Sequence, residues 1–212
     1  LGGTVGDIES LPYVESVRQL CWERPNDCAV VHLTLIPYLS AAGELKTKPT
    51  QHSVKSLQES GVFPDVLVCR TEYELNEGIR RKLALFCNVQ TDSVIQSIDA
   101  ATIYDVPKLM KEEQLDKVVL KKLGLSHTGE ANITSWEEFV YHLNNPKHTV
   151  DIALVGKYVE LKDSYKSISE SFIHASSFSR CKVNLHWICS EKLDATSAIE
   201  SLKNMDGVLV AP

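Results

Sequence analysis

The chain has 212 residues, 43% hydrophobic and 24% charged, with 22 basic against 28 acidic side chains and a formal net charge of −6. This is enough chain for one large domain or parts of two, and its composition predicts a packed core rather than disorder. The acidic balance argues against a nucleic-acid partner, no apolar run approaches the roughly twenty residues that cross a bilayer, and no signal peptide stands at the start.

Residues 2–10 read GGTVGDIES. Gly2, Gly3 and Gly6 permit unusual torsions and close approach of a ligand, and a helix is expected from Ser10 or Leu11 with Pro12 in its first turn. Its free amides suit a phosphate, but Asp7 and Glu9 would repel one and fit Mg²⁺, a base or a sugar better. A plain turn with Asp7 as helix cap explains the segment equally well. No Gly-Lys-Ser/Thr follows, so it is neither a P-loop nor the dinucleotide fingerprint.

A buried strand is predicted over 29–37 (AVVHLTLIP), followed by the loop KTKPTQ at 46–51. Lys46 and Lys48 flank Thr47, Pro49 stiffens the loop, and Thr50 can cap a helix over 51–60. Lysines, hydroxyls and a helix N-terminus make a polyphosphate cradle. A solvated basic loop is the commoner meaning of such a segment. A strand over 65–70 and a helix over 75–86 come next, with Arg80, Arg81 and Lys82 read as its solvent-facing basic side. The pattern continues with a strand over 93–98 and one helix over 106–123, striped by Leu109, Leu115, Val118, Val119 and Leu123.

The polar stretch 126–132 (SHTGEAN) breaks the pattern, Thr134 is placed to cap a helix over 135–143, and 144–149 is a second break. Alternation then resumes, with strands over 150–155, 182–188 and 208–210 and helices over 164–177 and 196–204. Strands alternating with helices predict α/β architecture with a mainly parallel sheet. The resulting organisation is 1–125, a linker over 126–149, and the first part of another domain over 150–212. Gly156-Lys157-Tyr158, followed by Asp163-Ser164-Tyr165-Lys166, lies where ligands bind beyond strand carboxyl ends, although a loop with an Asp163 cap accounts for it too. The opening inside a glycine turn and the close on a strand lead to the expectation that both ends are cut.

Cys21, Cys28, Cys69, Cys87, Cys181 and Cys189 form no CxxC pair or zinc spacing and read as free thiols of a reducing cytoplasm. The seven histidines fall in no HxxxH or triad order, which points away from a catalytic metal or hydrolytic triad.

Taken together, GGTVGDIES, GELKTKPTQHSV, RKLALFCNV and IALVGKYVELKDSYKSI, in this order and at these separations, resemble the CTP synthase family over nearly the whole chain. The resemblance implies an amidoligase domain of doubly wound, P-loop-related (dethiobiotin-synthetase-like) fold, joined to the first strands and helices of a flavodoxin-like class I glutaminase domain. It implies ATP-dependent amination of UTP to CTP with nitrogen from glutamine or ammonia, Mg²⁺ on the phosphates, GTP as activator, and a cytoplasmic homotetramer that can stack into filaments. Asp7, Ile8 and Glu9 match the family's pyrimidine-nucleotide loop, and Glu15 a carboxylate near the ring. Lys46, Thr47, Lys48, Pro49, Thr50 and Gln51 match the loop that holds the triphosphate of UTP or CTP, with Lys82 a further cationic contact. Arg70 and Ile98-Asp99-Ala100 match the adenine side of the ATP site.

The family's phosphate loop and Mg²⁺ ligands would lie upstream, and its oxyanion glycines and nucleophilic cysteine downstream. None of the six cysteines is that nucleophile, and this piece by itself is expected to be inactive. Ala211 stands where many members carry proline. Two alternatives are a UTP- or CTP-binding assembly module without chemistry and a P-loop partitioning ATPase; the GKYVELKDSYKS stretch counts against the second.

Overall fold

A computed structural model of the chain describes residues 3–126 and 129–211. The readings that fall on Leu1, Gly2, His127, Thr128 and Pro212 lie outside the described residues. The chain divides into two compact units between Asn132 and Ile133, and each is an α/β structure.

In the first unit, strands β1 (Val31–Ile36), β4 (Val66–Thr71) and β5 (Val94–Ile98) form a parallel sheet in the order β1-β4-β5. The central strand β4 is buried on both faces through Val66, Leu67, Val68 and Cys69, as its unbroken apolar run requires. On one face, α2 (Lys48–Glu59) and α3 (Glu77–Cys87) pack Val54, Leu83, Ala84 and Cys87 onto Ile36, Leu67 and Val94. On the other, α4 (Val106–Glu112) and α5 (Leu115–Lys122) cover Val66, Val68 and Ile95 with Met110, Leu115, Val118 and Val119. Over β1 this second face is open, leaving Val31, Leu33 and Leu35 at 44%, 67% and 55% exposure. Helix α1 (Leu11–Glu23) joins the unit through Val14 and Val17, which meet Leu57, Val62 and Val30.

Several boundaries differ from the sequence reading. Helix α2 begins three residues earlier than expected, at Lys48, with Pro49 in its first turn, so Thr47 rather than Thr50 precedes it. The loop after β1 also folds into a small antiparallel hairpin, β2 (Tyr38–Leu39) with β3 (Glu44–Leu45), which alternation does not reveal. The single helix expected over 106–123 is broken at Gln114, whose φ of 60° is left-handed. The break frees the preceding carboxylate: Glu113 takes a bidentate ion pair from Arg80, at 2.8 and 3.0 Å, and the Gln96 amide at 3.0 Å. Arg80 is therefore not part of a solvent-facing side. It also donates to the Val94 carbonyl at 2.6 Å and ties α3 to β5.

In the second unit, β6 (His148–Gly156) lies between β7 (Cys181–Cys189) and β8 (Gly207–Val210), all parallel. Leu154, Tyr165 and Ala211 form its buried centre. Helix α6 (Thr134–Asn144) lies within the stretch read as a linker, and it packs on α7 (Lys166–Ser179), where the Ser177 hydroxyl donates to the Phe139 carbonyl at 2.7 Å. Thr134 is the first residue of α6 rather than its cap, and a 3₁₀ turn over Lys162–Tyr165 replaces the expected Asp163 cap of α7. Helix α8 (Ala195–Leu202) starts from a capping box, with Asp194 accepting from the Thr196 and Ser197 amides.

Candidate functional site

Parallel strands deliver their loops to one edge, and in open α/β sheets ligands bind beyond the strands' carboxyl ends. The β1 loop places Lys46 there, the β4 end places Arg70, and the β5 end places Ile98, Asp99 and Ala100. Arg70 Nε donates to Asp99 Oδ1 at 2.9 Å, and the Asp99 amide donates to the Thr71 carbonyl at 2.9 Å. Two residues distant in sequence are thus brought into contact, and both are solvent-exposed.

The KTKPTQ segment divides into scaffold and exposed cations. Thr47 is buried and its hydroxyl accepts from Gln51 Nε2 at 3.1 Å. Thr50 is fully buried and its hydroxyl donates to the Leu35 carbonyl at 3.1 Å, so its side chain positions the loop. Lys48 and Pro49 are exposed at the start of α2; Pro49 has no amide hydrogen, and the Lys48 amide has no partner within the helix. Lys46 is anchored by its amide to the Pro37 carbonyl at 2.9 Å, and its ammonium is paired with Glu44. The Glu44 carboxyl is held below its usual range, first by the Lys46 hydrogen bond and charge and further by the charge of Lys82 on α3. Lys46 thus contacts the carboxylate directly, and Lys82 acts on it through its charge. The sequence reading passed over Glu44, although it stands in the quoted GELKTKP string. It also passed over Tyr38 and Tyr73, whose rings meet at 4.3 Å across the β1 and β4 loops.

The acidic turn lies before α1. Asp7 Oδ2 accepts from the Thr4 amide at 2.7 Å, and the Ser10 hydroxyl donates to the Asp7 carbonyl at 2.8 Å. Gly3 sits at φ +83°, and a Cβ there would meet Asp7 Oδ2 at 2.7 Å, which accounts for a glycine at that position. Ile8 is 80% exposed, and Glu9 is exposed as well. Glu15 is engaged within α1, bound by Arg18 through two 2.7 Å contacts and by Gln19 at 2.8 Å. The Arg18 and Gln19 hydrogen bonds lower its pKa to about 2. A groove of about 1040 Å³ connects this turn to the sheet edge. Gly3, Thr4 and Ser10 line it together with Leu35, Pro49 and Arg70.

In the segment 156–166 of the second unit, Gly156 and Tyr165 are buried against each other. A Cβ on Gly156 would lie 2.6 Å from the Tyr165 hydroxyl, which also accepts from the Tyr158 amide at 3.2 Å. Lys157 pairs with Glu191 at 3.2 Å.

A family model described as the CTP synthase N-terminus matches residues 1–125. Over the whole chain, the sequence is 66% identical to a CTP synthase of Flavobacterium psychrophilum, 55% to one of Porphyromonas gingivalis and 53% to one of Bacteroides fragilis. The chain spans about two fifths of the length of these relatives, 39–40% in each case.

Proposed function

The chain belongs to the CTP synthase family, and from that premise we propose that its first unit carries the pyrimidine-nucleotide end of a ligase that aminates UTP to CTP. Residues 1–125 are then part of the P-loop-related amidoligase domain, 126–149 the connection, and 150–212 the start of a flavodoxin-like glutaminase domain. The glutaminase assignment is supported by a parallel sheet whose first strand is central, in the order β7-β6-β8.

The observation that carries the nucleotide assignment is the Lys46 ammonium, paired with Glu44 beside the N-terminus of α2, with the charge of Lys82 reaching the same carboxylate. Three cations, Lys46, Lys48 and Lys82, offset the charge of a triphosphate, and the Lys48 amide at the start of α2 adds a directed donor. Asp7, Ile8 and Glu9, with Glu15 behind them, serve the base and sugar, and Thr47, Pro49, Thr50 and Gln51 shape the loop. Arg70, Ile98, Asp99 and Ala100 form the adenine side of an ATP site. In this reaction ATP phosphorylates O4 of UTP, and ammonia from glutamine displaces the phosphate.

Mg²⁺ would neutralise phosphate charge. Among the described residues no three His, Cys, Asp or Glu side chains gather into a metal site, and the Asp7 carboxylate is turned onto the Thr4 amide. No step is assigned to the metal on this chain. The same reading includes GTP activation and a cytoplasmic tetramer with pyrimidine sites at subunit contacts.

Calorimetric titration of UTP and CTP into the full-length protein tests the assignment. Lys46→Ala and Lys48→Ala should each weaken binding by about 1–3 kcal/mol through a lost charge-assisted contact. Unchanged affinity in both variants would defeat it.

A further inference from the structure

We propose that Cys21 and Cys28 are a reversible dithiol–disulfide pair, formed by exchange with small-molecule disulfides, that staples the end of helix α1 to the segment entering strand β1. Four observations place the thiols together. The chain leaves α1 through a tight turn, in which the Arg24 amide donates to the Leu20 carbonyl at 2.9 Å and the Asp27 amide to the Arg24 carbonyl at 3.1 Å. An exposed Arg24–Asp27 ion pair at 2.9 Å spans the turn. The turn folds Cys28 back onto the helix, with its Sγ 3.9 Å from the Leu20 carbonyl, one residue from Cys21. Finally, burial raises the Cys21 pKa, and the neighbouring Cys28 thiol adds to the rise.

Both residues are partly exposed, and both line the open groove beside β1, so a small disulfide can reach them. Cys69 and Cys87 provide an internal contrast. They also neighbour each other, but in the closed core under α2 and α3 at 0% exposure, with burial pushing both thiols to about 11. A thiolate is the nucleophile in exchange, so the core pair is doubly protected.

The chemistry needs two exchange steps. One protein thiolate attacks a sulfur of the small disulfide, forms a mixed disulfide and expels one small thiolate. The second protein thiolate then attacks the protein-bound sulfur and expels the other small thiolate. Two electrons and two protons leave the protein, and one disulfide becomes two small thiols.

The test equilibrates the full chain in graded mixtures of oxidised and reduced glutathione, blocks free thiols with an alkylating reagent, and maps peptides without reduction. The expected result is loss of two hydrogens from the intact chain and a linked Cys21–Cys28 peptide, both reversed by dithiothreitol, while Cys69 and Cys87 resist alkylation until the chain is unfolded. In a Cys21→Ser chain, Cys28 should instead accumulate a stable glutathione adduct, because no second thiol resolves it. Three results would overturn the proposal: glutathione adducts on the parent chain without a linked peptide, linkage through other cysteines, or both thiols unreacted at the most oxidising ratio.

Discussion

The loop between β1 and α2 and the loop between β6 and α7 occupy equivalent positions in their own units. Each leaves the carboxyl end of a parallel strand, each contains lysine, and each leads into a helix. In the second, Gly156 makes room for the Tyr165 hydroxyl, and Lys157 forms a surface ion pair with Glu191. In the first, the threonines are buried into the scaffold, Lys46 pairs with Glu44, and Lys48 faces outward at the start of α2. Position at a strand end makes a ligand loop possible; what decides is which polar groups the fold has already used. Substitutions in the two loops should therefore separate, with stability lost in one and affinity lost in the other.

The buried ion pair of the first unit should show the largest effect. Arg80 and Glu113 are each only 20% exposed, and Arg80 also holds the Val94 carbonyl. Arg80→Ala leaves Glu113 half-buried without its partner and should cost about 3 kcal/mol, read as a lower urea midpoint. In the second unit, Gly156→Ala forces a methyl against Tyr165 and should cost about 1–3 kcal/mol of stability, with UTP affinity unchanged. A loss of UTP binding in that variant would erase the contrast between the loops. Conversely, Lys48→Ala should shift stability by no more than about 0.5 kcal/mol while weakening UTP.

Acid should probe the same framework in two stages. Burial lowers the pKa of His32, whose ring bonds Ser53 at 2.9 Å. The folded chain is disfavoured wherever the unfolded imidazole is charged, so stability should begin to fall below the ordinary histidine value of 6.5. Glu113 supplies the second stage. Burial alone would raise its pKa, but the Arg80 hydrogen bonds and charge and the Gln96 amide bring it below the usual 4.5. Its contribution is present above the unfolded value and is lost as pH falls through the folded one. Urea midpoints measured against pH should show both declines, and Glu113→Gln should remove only the lower.

Much of the fold was legible because strand alternation and helical spacing are local. All three strands of each parallel sheet fall within two residues of their predicted bounds. The errors occur where a distant partner decides. Gln114 turns left-handed because Glu113 is drawn to an arginine 33 residues earlier. Thr50 lies inside α2 rather than capping it because its hydroxyl is claimed by the Leu35 carbonyl. The site residues came from family resemblance more than from pattern, since a lysine loop at a helix start reads the same in both units. Only packing distinguishes them.

Glu44 offers the smallest and most selective test. It is exposed, and it occupies the Lys46 ammonium while lying under the charge of Lys82. A triphosphate would have to displace it, so the carboxylate acts as a competing anion in the loop. Glu44→Gln removes that competitor, keeps the size of the side chain, and should tighten UTP binding by less than about tenfold, with the gain fading as salt rises. If binding weakens instead, Glu44 holds Lys46 in place for the nucleotide rather than against it. The loop would then be pre-organised by its carboxylate, and the difference between the two units would lie in geometry rather than in unspent charge.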